Sequence, residues 1–356
     1  MRWQLTVPID FDHGHRSNVG NHMCYSGGMV LQDPGVYNIT VYHEYEAYEW
    51  NPEDASHFKA PIMRLIPAMP HQIQVVAAET PPTSLPVCRT GDKSGRWMDG
   101  TWHPFSCQYK QDLLQSFSSC MADFCGEIVW SGDSNSRRVL KSLHVVNQTR
   151  WCQTFYWNHY CQCEDNDHWP YEGIAMPGIN FTVVRGLVEA DGQAAIHFAE
   201  TISTDTRLLI LGHLVNWDTA FSTFAEYRRR LDGFLSALKD RLRQFSVHPL
   251  IILRTGMYYC CTHHNHPPGE GMTRLYTRKR ILMFNEYAVS KFHEAFPPPL
   301  HQVLVWDAFA MGSARPIAAT VRQIQRCPAN HFDSLTVAAD LTTLLNMICN
   351  AHGDQR

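Results

Sequence analysis

The sequence predicts an α/β fold: a doubly wound, mostly parallel sheet with helices on both faces, preceded by a small β-sandwich module. Three observations lead there. The stretches "EIVW", "RLLILGHLV", "PLIILRTG" and "QVLVWDAFAM" each hold a short apolar run, as buried strands of a largely parallel sheet do. Between and after them lie longer segments whose apolar residues recur at helical spacing. Upstream of residue 80 the pattern is different, with Tyr, Thr and β-branched residues broken by prolines.

In chain order, "DPGVYNITVYHEYEAYEW" opens on a turn and sets Val36, Ile39 and Val41 among Tyr and Thr residues, which suits a half-buried strand. "APIMRLIPAMPHQIQVVAAE" is a second strand region, with prolines that confine it to an edge or interrupt it. "TPPTSLP", residues 80–86, is stiff and has little to bury, so a β-rich module over 1–84 and an α/β domain over 85–356 are expected. In the α/β part, Leu231, Leu235, Leu238 and Leu242 form one helical stripe, and Ile281, Phe284, Ala288 and Phe292 a second. Val337, Leu341, Leu344 and Ile348 form the closing one.

With 356 residues the chain is long enough for a substantial core, and a formal charge of -4 without long runs of one sign gives no reason to expect nucleic acid or anionic membrane as a partner. The 12 cysteines, several closely spaced, and the sequons at Asn38, Asn147 and Asn180 point to the lumen of the secretory pathway (Golgi or ER) or the extracellular space. The alternative is thiols buried as small hydrophobes and sequons that arise by chance. The N-terminal "MRWQLTVPIDFDHGH" lacks the apolar core of a signal peptide, so a signal segment outside this sequence is expected. No apolar run reaches the ~18 residues of a membrane span, and no transmembrane segment is expected.

In doubly wound sheets ligands bind beyond the carboxyl ends of the strands, which is where chemistry is to be sought. Ser134 stands there, after "IVWSGD" and at the start of an amphipathic segment containing Arg137 and Leu140. A helix N-terminus favours a developing oxyanion, but a serine in that place also suits an N-cap. "LLILGHLVNWD" brings Gly212, His213 and Asn216 to the same edge, "IILRTG" brings Arg254 and Thr255, and "VLVWDAF" brings Asp307. Each has a structural alternative: a glycine that eases packing, an interior histidine, an aspartate that caps a turn. His331, in the loop before the last helix, is placed to act as general base for Ser134, an order Ser…His compatible with a serine hydrolase on an α/β sheet.

These blocks resemble the SGNH hydrolase superfamily, in particular its PC-esterase branch of NXPE-like and trichome birefringence-like O-acetyltransferase proteins. The likeness rests on "GDSNSRR", the Cys-bounded "VCRTGDKSGRWMDGTWHPFSC", "LILGHLVNW", "LRTG", and "NHF" leading to "LLNMIC", in consistent order over residues 87–350. It implies an SGNH-type sheet preceded by an Ig-like module. It also implies Ser134 as nucleophile with its own N–H as one oxyanion donor, Gly186 as the second donor and His331 as catalytic base. Gly212, Asn216, Asp133 and Arg137 become supporting residues. The aspartate expected three residues before the histidine is replaced by Pro328, so another group orients the imidazole, with Asp307 the candidate, or the site works as a dyad, or it is inactive.

Between Cys88 and Cys107, Trp97 and Trp102 are candidates to stack on a sugar ring and Arg96 to bond its substituents, with His213 and Arg254 also on the substrate side. The alternative is a disulfide-closed loop that buries its tryptophans. "CCTHHNHPPGEG" holds zinc-type ligands at Cys260, Cys261, His263, His264 and His266, but crowded neighbours cannot all reach one tetrahedral ion. No metal and no cofactor are assigned, and the acyl donor is left open. The expected activity is a serine-dependent carbohydrate O-acyl, in particular O-acetyl, transferase or esterase acting on a glycan or glycoconjugate. The alternative is an inactive protein of the same fold that binds glycans.

Overall fold

The structure is a computed structural model that describes residues 17–19, 22–24, 31, 33–39, 42–43, 64–65, 72–77, 84–88, 94–98, 101–110, 127–147, 174–176, 179–257, 278–314 and 334–351. His331, Pro328 and the Cys260–His266 loop lie outside these.

The N-terminal part contributes short antiparallel pairs: β1 (Ser17–Val19) with β2 (His22–Cys24), β3 (Gly35–Asn38) with β6 (Gln72–Val75), and β4 (Tyr42–His43) with β5 (Arg64–Leu65). Both regions read as strands from the sequence therefore contain strands, though only two to four residues long. A hairpin, β7 (Gly95–Met98) and β8 (Thr101–Pro104), follows inside a loop closed by a Cys88–Cys107 disulfide. Cys349 is disulfide-bonded too.

The centre is a six-stranded sheet. Its strands are β9 (Glu127–Gly132), β10 (Ile174–Met176), β11 (Ile179–Val183), β12 (Thr206–Gly212), β13 (Leu250–Arg254) and β14 (Gln302–Trp306), in the order β10-β11-β9-β12-β13-β14. Five are parallel and β10 is an antiparallel edge. The parallel five run second, first, third, fourth, fifth in chain order, so the winding reverses between β9 and β12.

Alternation along the strands divides the core. Ile128, Trp130, Leu208, Ile210, Leu250 and Ile252 face helices α1 (Ser134–Asn147) and α7 (Ser334–Ala351). Val129, Leu209, Leu211, Ile251 and Leu253 face α2 (Gln193–Thr201), α4 (Phe224–Leu242) and α5 (Arg278–Ala295). All three helical stripes read from the sequence are buried: the leucines of α4, the Ile281–Phe292 set of α5, and the Val337–Ile348 set of α7. Two short helices, α3 (Asn216–Phe221) and α6 (Ala308–Ser313), begin at or just beyond strand ends. Among the described residues no helix is long and apolar enough to cross a membrane.

Candidate active site at the ends of the parallel strands

Two glycines bring the first helix down onto the sheet. Gly132 and Gly212 are register partners on β9 and β12, and Ser136 of α1 packs over both. A Cβ on Gly132 would lie 2.2 Å from the Ser136 Cβ, and one on Gly212 would lie 2.1 Å from its Oγ. Gly212 thus admits α1 to the sheet, and Ser136 Oγ donates to the Gly212 carbonyl at 3.4 Å.

Asp133, not Ser134, is the helix cap. Its Oδ1 accepts from the N–H groups of Asn135 (3.0 Å) and Ser136 (3.2 Å), and its carbonyl accepts the first helical bond from Arg137 N at 3.0 Å. The capping alternative for Ser134 is thereby taken up by its neighbour, and half-buried Ser134 occupies the first helical position, at the positive end of the helix dipole. The other Asp133 oxygen accepts from Asn216 Nδ2 at 2.6 Å, while Asn216 Oδ1 accepts from Met257 N at 2.8 Å. One asparagine therefore ties together the ends of β9, β12 and β13. Burial pushes the Asp133 carboxyl above its ordinary range, opposed by the positive charge of Arg254 and by the bond from Asn216.

Gly186 approaches from the other side. β11 continues alongside β9, with Val184 N donating to Gly132 O at 3.1 Å, so the chain at 185–187 runs past the start of α1. Gly186 has φ +121°, which favours glycine, and a Cβ there would lie 2.7 Å from Asp218 Oδ2 and 2.9 Å from Trp217 Cβ. Asp218 is wholly buried and accepts from Leu187 N at 2.7 Å and Ser222 Oγ at 3.1 Å, with Arg230 at 4.0 Å. Burial raises its pKa to about 7. Farther along the same segment, Ala190 and Asp191 also have positive φ, 49° and 54°, a conformation that costs of order 1–3 kcal/mol in non-glycine residues. Asp191 is held there by Arg229 and Arg230, each at 2.8 Å.

The substrate-side expectations need correction. Trp97 and Trp102 are each 3% exposed, packed edge to face on one another and against Met311, Ala314 and Ala339, with Trp97 Nε1 donating to Met311 O at 3.0 Å. Stacking on a sugar needs an open ring face, which these rings lack; the buried-tryptophan alternative describes them. Arg96 is committed to a forked ion pair with Asp33, its Nη2 2.6 Å from Oδ1. His213 is likewise interior: its ring lies between Phe198 and Phe234, its Nδ1 is 2.8 Å from Ser131 Oγ, and burial pulls its pKa down to about 3. Arg254 is 1% exposed, paired with Asp340 at 2.6 Å and stacked 4.8 Å from the Trp306 ring. Its charge acts on Asp133 from below and reaches no substrate surface.

Asp307 caps α6, its Oδ1 accepting from Ala310 N (3.1 Å) and bonding Thr255 Oγ1 (3.1 Å), so one carboxylate oxygen is already committed. His331, the base it was expected to orient, lies outside the described residues. Sequence reading missed Asp218, Asp340 and Asn285, which bonds both the N–H and the C=O of Gly256 (2.6 and 3.0 Å). The available signal was weak: Asp340 and Asn285 stand inside otherwise apolar helical stripes, and Asp218 ends the run "LLILGHLVNWD".

No family model, curated protein or solved structure matches the chain. Among the described residues, no group of three His, Cys, Asp or Glu side chains is placed to hold a metal ion. The chemistry open to the site is that of a serine at a helix N-terminus, flanked by a buried carboxyl, a fixed asparagine and a glycine turn.

Proposed function

We propose that the protein is a serine-dependent O-acyl transferase or esterase of the SGNH type, acting on acetylated glycans. The observation that carries this reading is the position of Ser134: first residue of α1, at the reversal of the parallel sheet, beside a carboxyl that already caps the helix. In this reading Ser134 Oγ attacks the ester carbonyl and His331 takes its proton. The oxyanion is held by backbone N–H groups at Ser134 and Gly186 together with the Asn216 amide. The imidazolium returns the proton to the departing sugar oxygen as the ester C–O bond breaks, and water or a second sugar hydroxyl takes the acyl group from the serine.

The SGNH resemblance, the closed Cys88–Cys107 loop and the exposed asparagines of two sequons, Asn38 and Asn180, support a lumenal or extracellular glycan setting. Brief incubation with p-nitrophenyl acetate followed by peptide mass analysis tests the reading. Acetyl on the Ser134 peptide of wild type, absent after Ser134→Ala, is the expected result. Faster p-nitrophenol release on adding a sugar acceptor identifies a transferase.

A second reading, a glycan-binding protein without turnover, is favoured by Pro328 in place of the expected aspartate and by the commitment of Asp307 to its helix cap. It predicts no acetyl on Ser134 in folded wild type.

A further inference from the structure

Asp218 is a fully buried acid at the edge that carries Ser134, and the acyl-transfer scheme above gives it no task. It lies on α3 two residues after Asn216, and its carboxyl group reaches backwards under the turn that follows β11. Leu187 N–H donates to one oxygen and Ser222 Oγ to the other, Val188 N–H also bonds the carboxylate, and the place of a Gly186 side chain is filled by Oδ2 itself. The groups facing it from α4 are Arg230, which also bonds Ser222 Oγ at 2.7 Å, and the buried Tyr227. Beyond the turn lie the left-handed residues Ala190 and Asp191, and the Asp191 carboxylate is clamped by Arg229 and Arg230. A segment with positive φ at residues 186, 190, 191 and 192 holds its shape only because neighbours over-determine it.

We propose that Asp218 is a positioning residue of the Ser134 site: by gripping Leu187 N–H from below, it fixes the Gly186 turn, and hence the Gly186 N–H, beside the start of α1. This rests on the acyl-transfer reading for its catalytic consequence, but not for the grip itself. Protonation enters as a modulator, since the group's pKa of about 7 leaves it partly ionised near neutrality.

The test uses full-length protein, wild type with Asp218→Ala and Asp218→Asn, p-nitrophenyl acetate as substrate and amide exchange of the 186–192 segment. Asparagine keeps an acceptor for Leu187 N–H; alanine does not. Asp218→Ala is expected to lower kcat about tenfold or more with KM within about twofold, and to speed exchange at Leu187 about tenfold. Asp218→Asn is expected to restore both to within about threefold and to remove Asp218's share of the pH dependence of kcat, leaving that of the His331 base. Unmoved kcat and unmoved exchange in Asp218→Ala overturn the proposal. So do equal losses in both variants that follow their melting temperatures, which would mark a merely structural acid. Folded wild type with no turnover overturns the acyl-transfer reading and with it the catalytic role, and exchange then reports on the grip alone.

Discussion

At the scale of single residues, the site is a set of mostly buried polar groups joined by hydrogen bonds at the ends of the strands. Asp133 is the hub, because it caps α1 and fixes Asn216 with the same carboxyl group. Asp133→Ala removes a cap and leaves the Asn216 amide without that acceptor, so a loss of about 2–3 kcal/mol in denaturant unfolding is expected. Asp133→Asn, which can still cap, is expected to lose less. Arg254 and Asp340 form a pair 1% and 0% exposed, and Asp340→Ala strands a buried guanidinium at a cost of about 3–5 kcal/mol. Two residues titrate with opposite consequences. His213, pulled down to about 3, stays neutral while the unfolded chain takes a proton below its ordinary value near 6.5, so it costs stability as pH falls from there. Asp218, raised to about 7, keeps a proton that the unfolded chain has released above its ordinary 3.8, so its contribution declines as pH rises to 7. Measured against wild type, His213→Gln is expected to gain about 1.4 kcal/mol per pH unit on acidification below 6.5. Asp218→Asn is expected to gain by a similar amount per unit as pH rises from about 4 to 7.

At the scale of elements, the contact of α1 with the sheet depends on two glycines in register. The Ser136 atoms nearest each glycine differ, which gives a sharp expectation. Gly212→Ala collides with the hydroxyl, and Ser136→Ala is expected to rescue most of the loss; Gly132→Ala collides with the Ser136 Cβ, and only Ser136→Gly relieves it. A double-mutant cycle by thermal unfolding checks both. The strands and stripes of this part of the molecule were legible in the sequence for a physical reason. Burial on both faces forces unbroken apolar runs such as "LLIL" and "LIIL", and helix packing forces the leucine spacing of α4. Direction was not legible. Trp97 and Trp102 carry the same letters whether they face a sugar or the body of the protein, and they face α6 and α7. Asp133 and Ser134 are both capping residues, and only the bonds to Asn135 and Ser136 separate them. The link from Asp218 on α3 to Leu187 spans 31 residues, and no local spacing announces it.

At the scale of the whole molecule, the Cys-bounded hairpin and the last helix lock the α/β domain from one side. Tyr109 Oη meets Thr343 Oγ1 at 2.7 Å, Lys110 N donates to Asn346 at 2.9 Å, and Asn350 Nδ2 donates to the Cys88 carbonyl at 2.8 Å. The disulfide joins cysteines 19 positions apart, and replacing both with serine is expected to cost about 3 kcal/mol, read as a lower melting temperature. That lock anchors α7, and the segment carrying His331 leads into α7, so the sheet edge and the C-terminal helix have to be brought together for Ser134 to meet a base. The acyl-transfer reading therefore stands or falls on the reactivity of one hydroxyl. Labelling by a serine-reactive fluorophosphonate measures it most directly: wild type is expected to label, and Ser134→Ala and His331→Ala are expected not to. Labelling that survives Ser134→Ala, or folded wild type that takes no label, would contradict the account.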